Sequence, residues 1–267
     1  MNTKIRNILI ALCVATFAFM SLASGSSSDE ASYTQVVVQQ ENSGDASATE
    51  EEIVVAPQAQ SVMQYEITDT RFEYYTNSIG SVEYFGIVEI TNTGDTNIYL
   101  DDCTFDLEDN DGHLLQSDSF ISAAPEIIAP GERGYFYNGL GSNLLNENVS
   151  LDNGIVLAPQ IRVEEATGEP VDYPVSDVTV SEGNYGYLNV LGRVENTSDE
   201  EIGYLYVDII FYDANGAVLA VTGTSVTNIP AGGMSSFDTT CYYANENVSF
   251  SDIAETEVMA REHYYQW

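Results

Sequence analysis

The sequence predicts an all-β chain: two tandem antiparallel β-sandwich domains behind an export signal and a flexible tether. Three observations carry this expectation. From about residue 62 the chain falls into short runs of alternating apolar and polar residues, separated by Gly-, Asn- and Asp-containing turns. The order of these runs repeats after about 100 residues. Helical periodicity is convincing nowhere in the same stretch. A small barrel is the alternative way to close strands of this kind.

Residues 1–23 read as a secretory signal. Lys4 and Arg6 form a basic start, and Ile8 to Phe19 is an unbroken run of apolar or small residues. Ser21-Leu22-Ala23 then places small residues where signal peptidase reads them. The run falls short of the roughly 20 apolar residues of a spanning helix, so cleavage after Ala23 or Gly25 is expected rather than a retained anchor. Lipidation is not expected. Ser26 stands near the place of the required cysteine, and Cys13 follows Leu12 in the middle of the apolar run. Residues 24–61 are an acidic Ser-, Glu- and Gln-rich stretch with too little apolar surface to offset chain entropy, and so read as a disordered tether.

The repeat is read from anchors in one order. Asn92-Thr93-Gly94-Asp95 recurs as Asn196-Thr197-Ser198-Asp199, 104 positions later. The same offset pairs Ile98 with Ile202, Asp109 with Asp213, Gly112 with Gly216 and Leu115 with Leu219. Ile128 to Phe136 then matches Ile229 to Phe237, the pentapeptide NENVS occurs at 146–150 and 245–249, and Tyr65 and Asp69 match Tyr173 and Asp177. This gives a first domain over 62–165, a linker over 166–170 and a second domain over 171–267.

Within each copy the pattern is that of strands. Tyr84, Gly86, Val88 and Ile90 share one face, as do Leu188, Val190, Gly192 and Val194 in the second copy. Cys103, Phe105 and Leu107 correspond to Val207, Ile209 and Phe211. The opposite face is mixed: Thr104, Asp106 and Glu108 in one copy, Asp208, Ile210 and Tyr212 in the other. One buried face and one wet face are expected of an antiparallel sheet. Asn110-Asp111-Gly112 and Ala214-Asn215-Gly216 are expected to be tight turns.

Phe105-Asp106-Leu107-Glu108-Asp109 fits the pattern F-x-L-Y-D with Glu for Tyr, and Ile209-Ile210-Phe211-Tyr212-Asp213 fits it with conservative changes. Gly192-Arg193-Val194-Glu195-Asn196-Thr197 adds a matching strand and turn. The second copy thus resembles the FxLYD domain family of bacterial exported proteins, and the first is a more divergent member. The resemblance covers most of 62–267. It implies immunoglobulin-like sandwiches in a cell-envelope setting and no enzymatic activity.

Chemistry is sparse. Asp109-Asn110-Asp111-Gly112 invites comparison with an EF-hand loop, with Asp109 third, Asp111 fifth and Asp118 twelfth, but Leu107 falls where the first carboxylate belongs. A hairpin turn is the expected role. His113 and His263 are the two histidines, and neither lies in a catalytic or zinc-ligand pattern. No catalytic residue, cofactor-binding residue, metal ligand or cofactor is assigned. Cys103 and Cys241 remain once Cys13 leaves with the signal, either as buried thiols or as an interdomain bridge.

The formal net charge of −35 excludes ordinary nucleic-acid and anionic-membrane binding, which need basic patches. An acidic coat keeps an exported protein soluble and allows diffuse calcium association. After residue 6 there is no lysine, and the basic residues are Arg71, Arg133, Arg162, Arg193 and Arg261, so trypsin-like proteases have few bonds to cut. Tyr74, Tyr75, Tyr135, Tyr137, Tyr204, Tyr206, Tyr242, Tyr243, Tyr264 and Tyr265 exceed what a small core requires. They suggest an aromatic binding face for a protein or glycan, although strand propensity also places Tyr. Asn148, Asn196 and Asn247 sit in N-x-S/T sequences that turn chemistry accounts for. The expected function is a non-catalytic extracellular or cell-surface binding module, with an envelope spacer and weak calcium-assisted adhesion as the alternatives and a glycoside hydrolase disfavoured.

Overall fold

A computed structural model of the protein describes residues 62–262 apart from 78, 139–142, 147–148 and 242–247. The signal and tether, part of each NENVS segment, Asn148, Asn247, His263, Tyr242, Tyr243, Tyr264 and Tyr265 lie outside the described residues. The described residues all fall in one compact unit, Pro57–Trp267.

The unit is all-β. The first half contributes β1 (Tyr65–Thr76), β2 (Val82–Asn92), β3 (Ile98–Glu108), β4 (Leu114–Ser119), β5 (Ser122–Ala124), β6 (Ile127–Ile128), β7 (Arg133–Tyr137), β8 (Asn143–Leu144) and β9 (Val156–Glu165). The second contributes β10 (Val175–Glu182), β11 (Leu188–Glu195), β12 (Ile202–Tyr212), β13 (Val218–Ile229), β14 (Met234–Cys241) and β15 (Glu255–Glu262). No sheet takes strands from both halves. The order β1-β2-β7 in the first half corresponds to β10-β11-β14 in the second, and β4-β3-β9 to β13-β12-β15, all antiparallel.

Each pair of sheets encloses its own β-sandwich-like core. One core gathers Val88, Ile90, Phe105, Leu107 and Phe136; the other gathers Leu188, Val190, Ile209, Phe211 and Phe237. Gly192 stands in this alternation because a Cβ there would lie 2.3 Å from Phe237 Cζ, and Gly86 because one would meet Leu157 and Phe120. Cys103 and Cys241 are not joined by a disulfide, and both are fully buried, one in each core.

The repeated Asn-Thr turn has a specific cause. The amide of Asn92 is fully buried, donates to the carbonyls of Thr96 and Ile128, and accepts from the Gly94 N–H. Asn196 makes the equivalent bonds to Glu200, Ile229 and Ser198. Each amide is itself sealed from water and finds its partners in the backbone of the turn and one neighbouring loop, which favours Asn at both places. Both hairpins also close alike, with Gly112 and Gly216 at φ of 80°.

The copies diverge after the hairpin. The continuous β13 is replaced in the first copy by β4, β5 and β6, in a segment three residues longer between Leu115 and Ile128. Here β4 pairs with β3, but β5 crosses to pair with β7 in the other sheet. Pro125 follows directly and has no N–H to continue that ladder.

All five arginines after residue 6 lie within strands, and each is ion-paired: Arg71 with Glu73, Arg133 with Glu89, Arg162 with Asp101, Arg193 with Asp177, and Arg261 with Glu132 and Asp172. Cleavage at any of them requires a strand to leave its sheet. The folded protein is therefore expected to survive a trypsin digestion that fragments the urea-unfolded chain. Rapid fragmentation of the folded protein, read on a gel, would contradict this.

Candidate functional site

The expectation of one wet face fails where the halves meet. Ile210 and Tyr212 of β12, with Val218 and Val221 of β13, are buried in a third apolar cluster, and its other members are Phe85, Ile87, Ala124, Tyr135 and Tyr137 of the first half. The outer face of β13-β12-β15 thus packs on the outer face of β1-β2-β7-β5. Asp208, also expected to be wet, is 7% exposed. The first copy's Thr104, Asp106 and Glu108 do face outward or remain half-buried.

Polar groups tie this seam together, and scarce arginines do most of it. Tyr135 and Tyr212 share a hydrogen bond between their hydroxyls at 2.7 Å, and Tyr212 donates onward to Glu257 at 2.7 Å. Arg133 donates to the Tyr212 hydroxyl and lies over its ring, 4.9 Å from the centroid. Burial pushes the phenol pKa of both tyrosines up, so they act as neutral donors. Arg71 donates to the Val218 carbonyl. Arg261, nearly buried on β15, reaches the Ile127 carbonyl at 3.0 Å, Glu132 at 2.5 Å and Asp172 at 2.5 Å. Burial opposes its charge, and the bonds to Asp172 and Glu132 hold it protonated.

The seam opens along β12. Tyr212, Ile210, Asp208, Tyr206 and Tyr204 share one face of the strand, and exposure rises from Ile210 onward to 40% at Tyr204. The open end is a cleft of about 680 Å³. From the first half it is lined by Ile121–Ala123 around β5, by Pro125–Ile127 and by Tyr137. The joint contributes Glu169–Val171; the second half contributes Tyr204, Tyr206, Asp208, Thr222–Ser225, Thr239, Arg261 and Glu262. Tyr204 and Tyr206 meet edge to face with centroids 5.1 Å apart. The detour of β5 in the first copy supplies one wall, so the cleft is a product of divergence and has no counterpart required within either copy.

Asp208 sits at the inner end of the cleft. Its cross-strand neighbours are Gly223 on β13 and Met259 on β15. Gly223 has no side chain to cover it, and a Cβ there would lie 3.5 Å from Asp208 Oδ1 and 3.3 Å from Tyr137 Oη. No hydrogen bond to the Asp208 carboxylate is made among the described residues. Burial, with repulsion from Glu126, pushes its pKa up to about 7, while Arg261 pulls the other way.

The other sequence candidates fall elsewhere. Asp109, Asp111 and His113 do come together, with one ligand atom each within 4.8 Å of the others. Asp109 is committed to the turn. Its carboxylate accepts the N–H groups of Asp111 and His113 and contacts the His113 ring, and the backbone bond to His113 leads the causes that hold it well below the usual carboxylate range. Asp213 accepts the equivalent N–H groups of Asn215 and Ala217 in the copy without the other acid or the histidine. Leu107 is core, and Asp118 is bonded to Tyr84 on the sheet, so the EF-hand register breaks at its first and twelfth places. His113 is exposed. Among the tyrosines, Tyr135 and Tyr137 are buried in the seam, Tyr75 is half-buried, and Tyr74 is partly exposed and away from the cleft.

Asp208, Arg261 and Glu126 escape sequence reasoning as site residues. The available signals were the continuous apolar runs Phe85-Gly86-Ile87-Val88 and Ile209-Ile210-Phe211-Tyr212, which are written for strands covered on both faces. Among the described residues no helix is long and apolar enough to cross a membrane. No protein-family model matches the chain, and no curated protein does either.

Proposed function

We propose that this protein is a non-catalytic binding module, exported through a cleaved N-terminal signal and acting outside the cell or at its surface. In this reading its tandem halves are immunoglobulin-like sandwiches of the FxLYD kind, and they hold an extracellular protein or glycan in the cleft between them. The resemblance of residues 105–109 and 209–213 to that family supports the fold assignment, as does the shared strand order of the two halves. The observation that carries the binding reading is the Tyr204–Tyr206 pair at the mouth of a cleft whose inner end holds a buried carboxylate. Aromatic surface with a few convergent polar groups is what a ligand site requires.

A pull-down with the purified exported chain against envelope glycans and secreted proteins, with and without calcium, tests this. Gly223→Trp fills the cleft beside Asp208. Wild-type protein is expected to capture a ligand that the folded Gly223→Trp protein loses. Capture that is indifferent to Gly223→Trp would favour the second reading, an envelope spacer, which the arginine-tied seam supports by fastening both halves into one unit.

A further inference from the structure

We infer that the cleft receives an extended basic peptide segment of a partner protein, with an arginine or lysine side chain seated between Tyr204, Tyr206 and the Asp208 carboxylate. This rests on the binding-module reading above and names its ligand class.

Charge complementarity is the first argument. Asp208, Glu126, Glu169 and Glu262 line the cleft, against Arg261 alone. That arginine is already met by Glu132, Asp172 and the Ile127 carbonyl, so its charge is answered before any ligand arrives. Asp208 is more than nine-tenths buried, borders the cleft, and receives no hydrogen bond among the described residues. A buried carboxylate in this state is costly unless a donor reaches it. A guanidinium or ammonium supplies that donor, and the tyrosine rings beside it attract the same cation.

The backbone argues for an extended chain. β13 ends its sheet, with only β12 hydrogen-bonded beside it, and β5 ends the sheet of the first half beside β7. Both strands line the cleft, at Thr222–Ser225 and Ser122–Ala123. An open strand edge binds extended peptide through main-chain hydrogen bonds, leaving alternate side chains to enter pockets.

The occupant comes from another protein. Outside the described strands the chain's lysine and arginine residues are Lys4 and Arg6 in the expected signal, and every other arginine lies in a strand and is ion-paired. The tether carries no lysine or arginine, and a second copy would have to take the exposed Arg162 and Arg193 out of ion pairs with Asp101 and Asp177 on strands already held in sheets.

The test is calorimetric titration of the full exported chain with a synthetic alternating Arg-Val peptide of about nine residues, the length of a long strand. The same peptide with citrulline for arginine and a panel of soluble oligosaccharides serve as comparisons. Wild-type protein is expected to bind the arginine peptide, with affinity rising between about pH 6 and about pH 8 as Asp208 ionises. Asp208→Asn should weaken binding at least ~10-fold, the loss of one charge-assisted bond. Gly223→Trp should abolish it, and thermal unfolding confirms that each variant is folded. Equal binding of the citrulline peptide, or binding unchanged by Asp208→Asn, overturns the inference. Oligosaccharide binding lost in Gly223→Trp also overturns it while leaving the binding-module reading standing. If no ligand, peptide or sugar, depends on Gly223, both fall together.

Discussion

Asp208→Asn is expected to stabilise the protein at about pH 8 by up to about 4 kcal/mol and to leave it nearly unchanged at about pH 4. The folded carboxyl keeps its proton up to about pH 7, whereas an unfolded aspartate releases it near about 3.9. Between those values the folded state binds more protons than the unfolded one. Stability therefore falls as pH rises through that window and is level above it. Burial is the main cause, and Glu126 adds to it; Arg261 offsets part, and Tyr137 and Gly223 are the other groups set beside Asp208. Asparagine keeps the shape and removes the titration. The measurement is the difference in melting temperature between wild type and variant across this range, which cancels every other carboxylate. A gap opening to roughly 10 °C at the alkaline end is expected for a domain pair of this size. Parallel curves would show that Asp208 ionises normally. A buried acid that lowers stability is consistent with the binding role proposed for Asp208.

Arg261→Met is expected to do the opposite, lowering stability by about 2–4 kcal/mol at neutral pH. Removing one partner of a buried ion pair typically costs about 3–5 kcal/mol because the other charge is left without compensation. Glu132 and Asp172 keep some contact with water, which reduces that figure. The Ile127 carbonyl is also orphaned. Two further readouts separate a loosened seam from a generally weakened core. Trypsin cleavage at Arg133, on the first-half side of the seam, should accelerate. Adding Glu132→Gln should recover part of the loss by removing the uncompensated charge. An Arg261→Met protein with unchanged melting temperature and unchanged cleavage would mean that the arginine does not fasten the halves.

These two residues mark the limit of sequence reasoning here. Arg261 stands near the C-terminal end, yet its partners Ile127 and Glu132 lie 134 and 129 positions away. No periodicity links positions so far apart. Asp208 reads as solvent-facing because it alternates with Val207 and Ile209, and alternation reports which residues are apolar without reporting what covers the other face. The sequence placed the tyrosines among candidate ligand groups but could not sort them. Tyr135 and Tyr137 were buried in the seam, where Tyr135 bonds to the Tyr212 hydroxyl, while Tyr204 stayed at the opening.

What the sequence determined by itself is the all-β class, the repeat and its turns. Those rest on short-range physics: Asn92 and Asn196 satisfy groups within their own turns and one neighbouring loop, Gly112 and Gly216 supply positive φ, and Phe105 and Phe211 keep strand parity with their neighbours. What only the tertiary structure decided is that the outer face of one copy covers the outer face of the other. That choice buries Ile210 and Tyr212, leaves Asp208 at the inner end of a cleft, and brings β5 and β13 together in the lining of that cleft. The free energy of that docking depends on two surfaces fitting each other, a property of the folded faces that no single strand encodes.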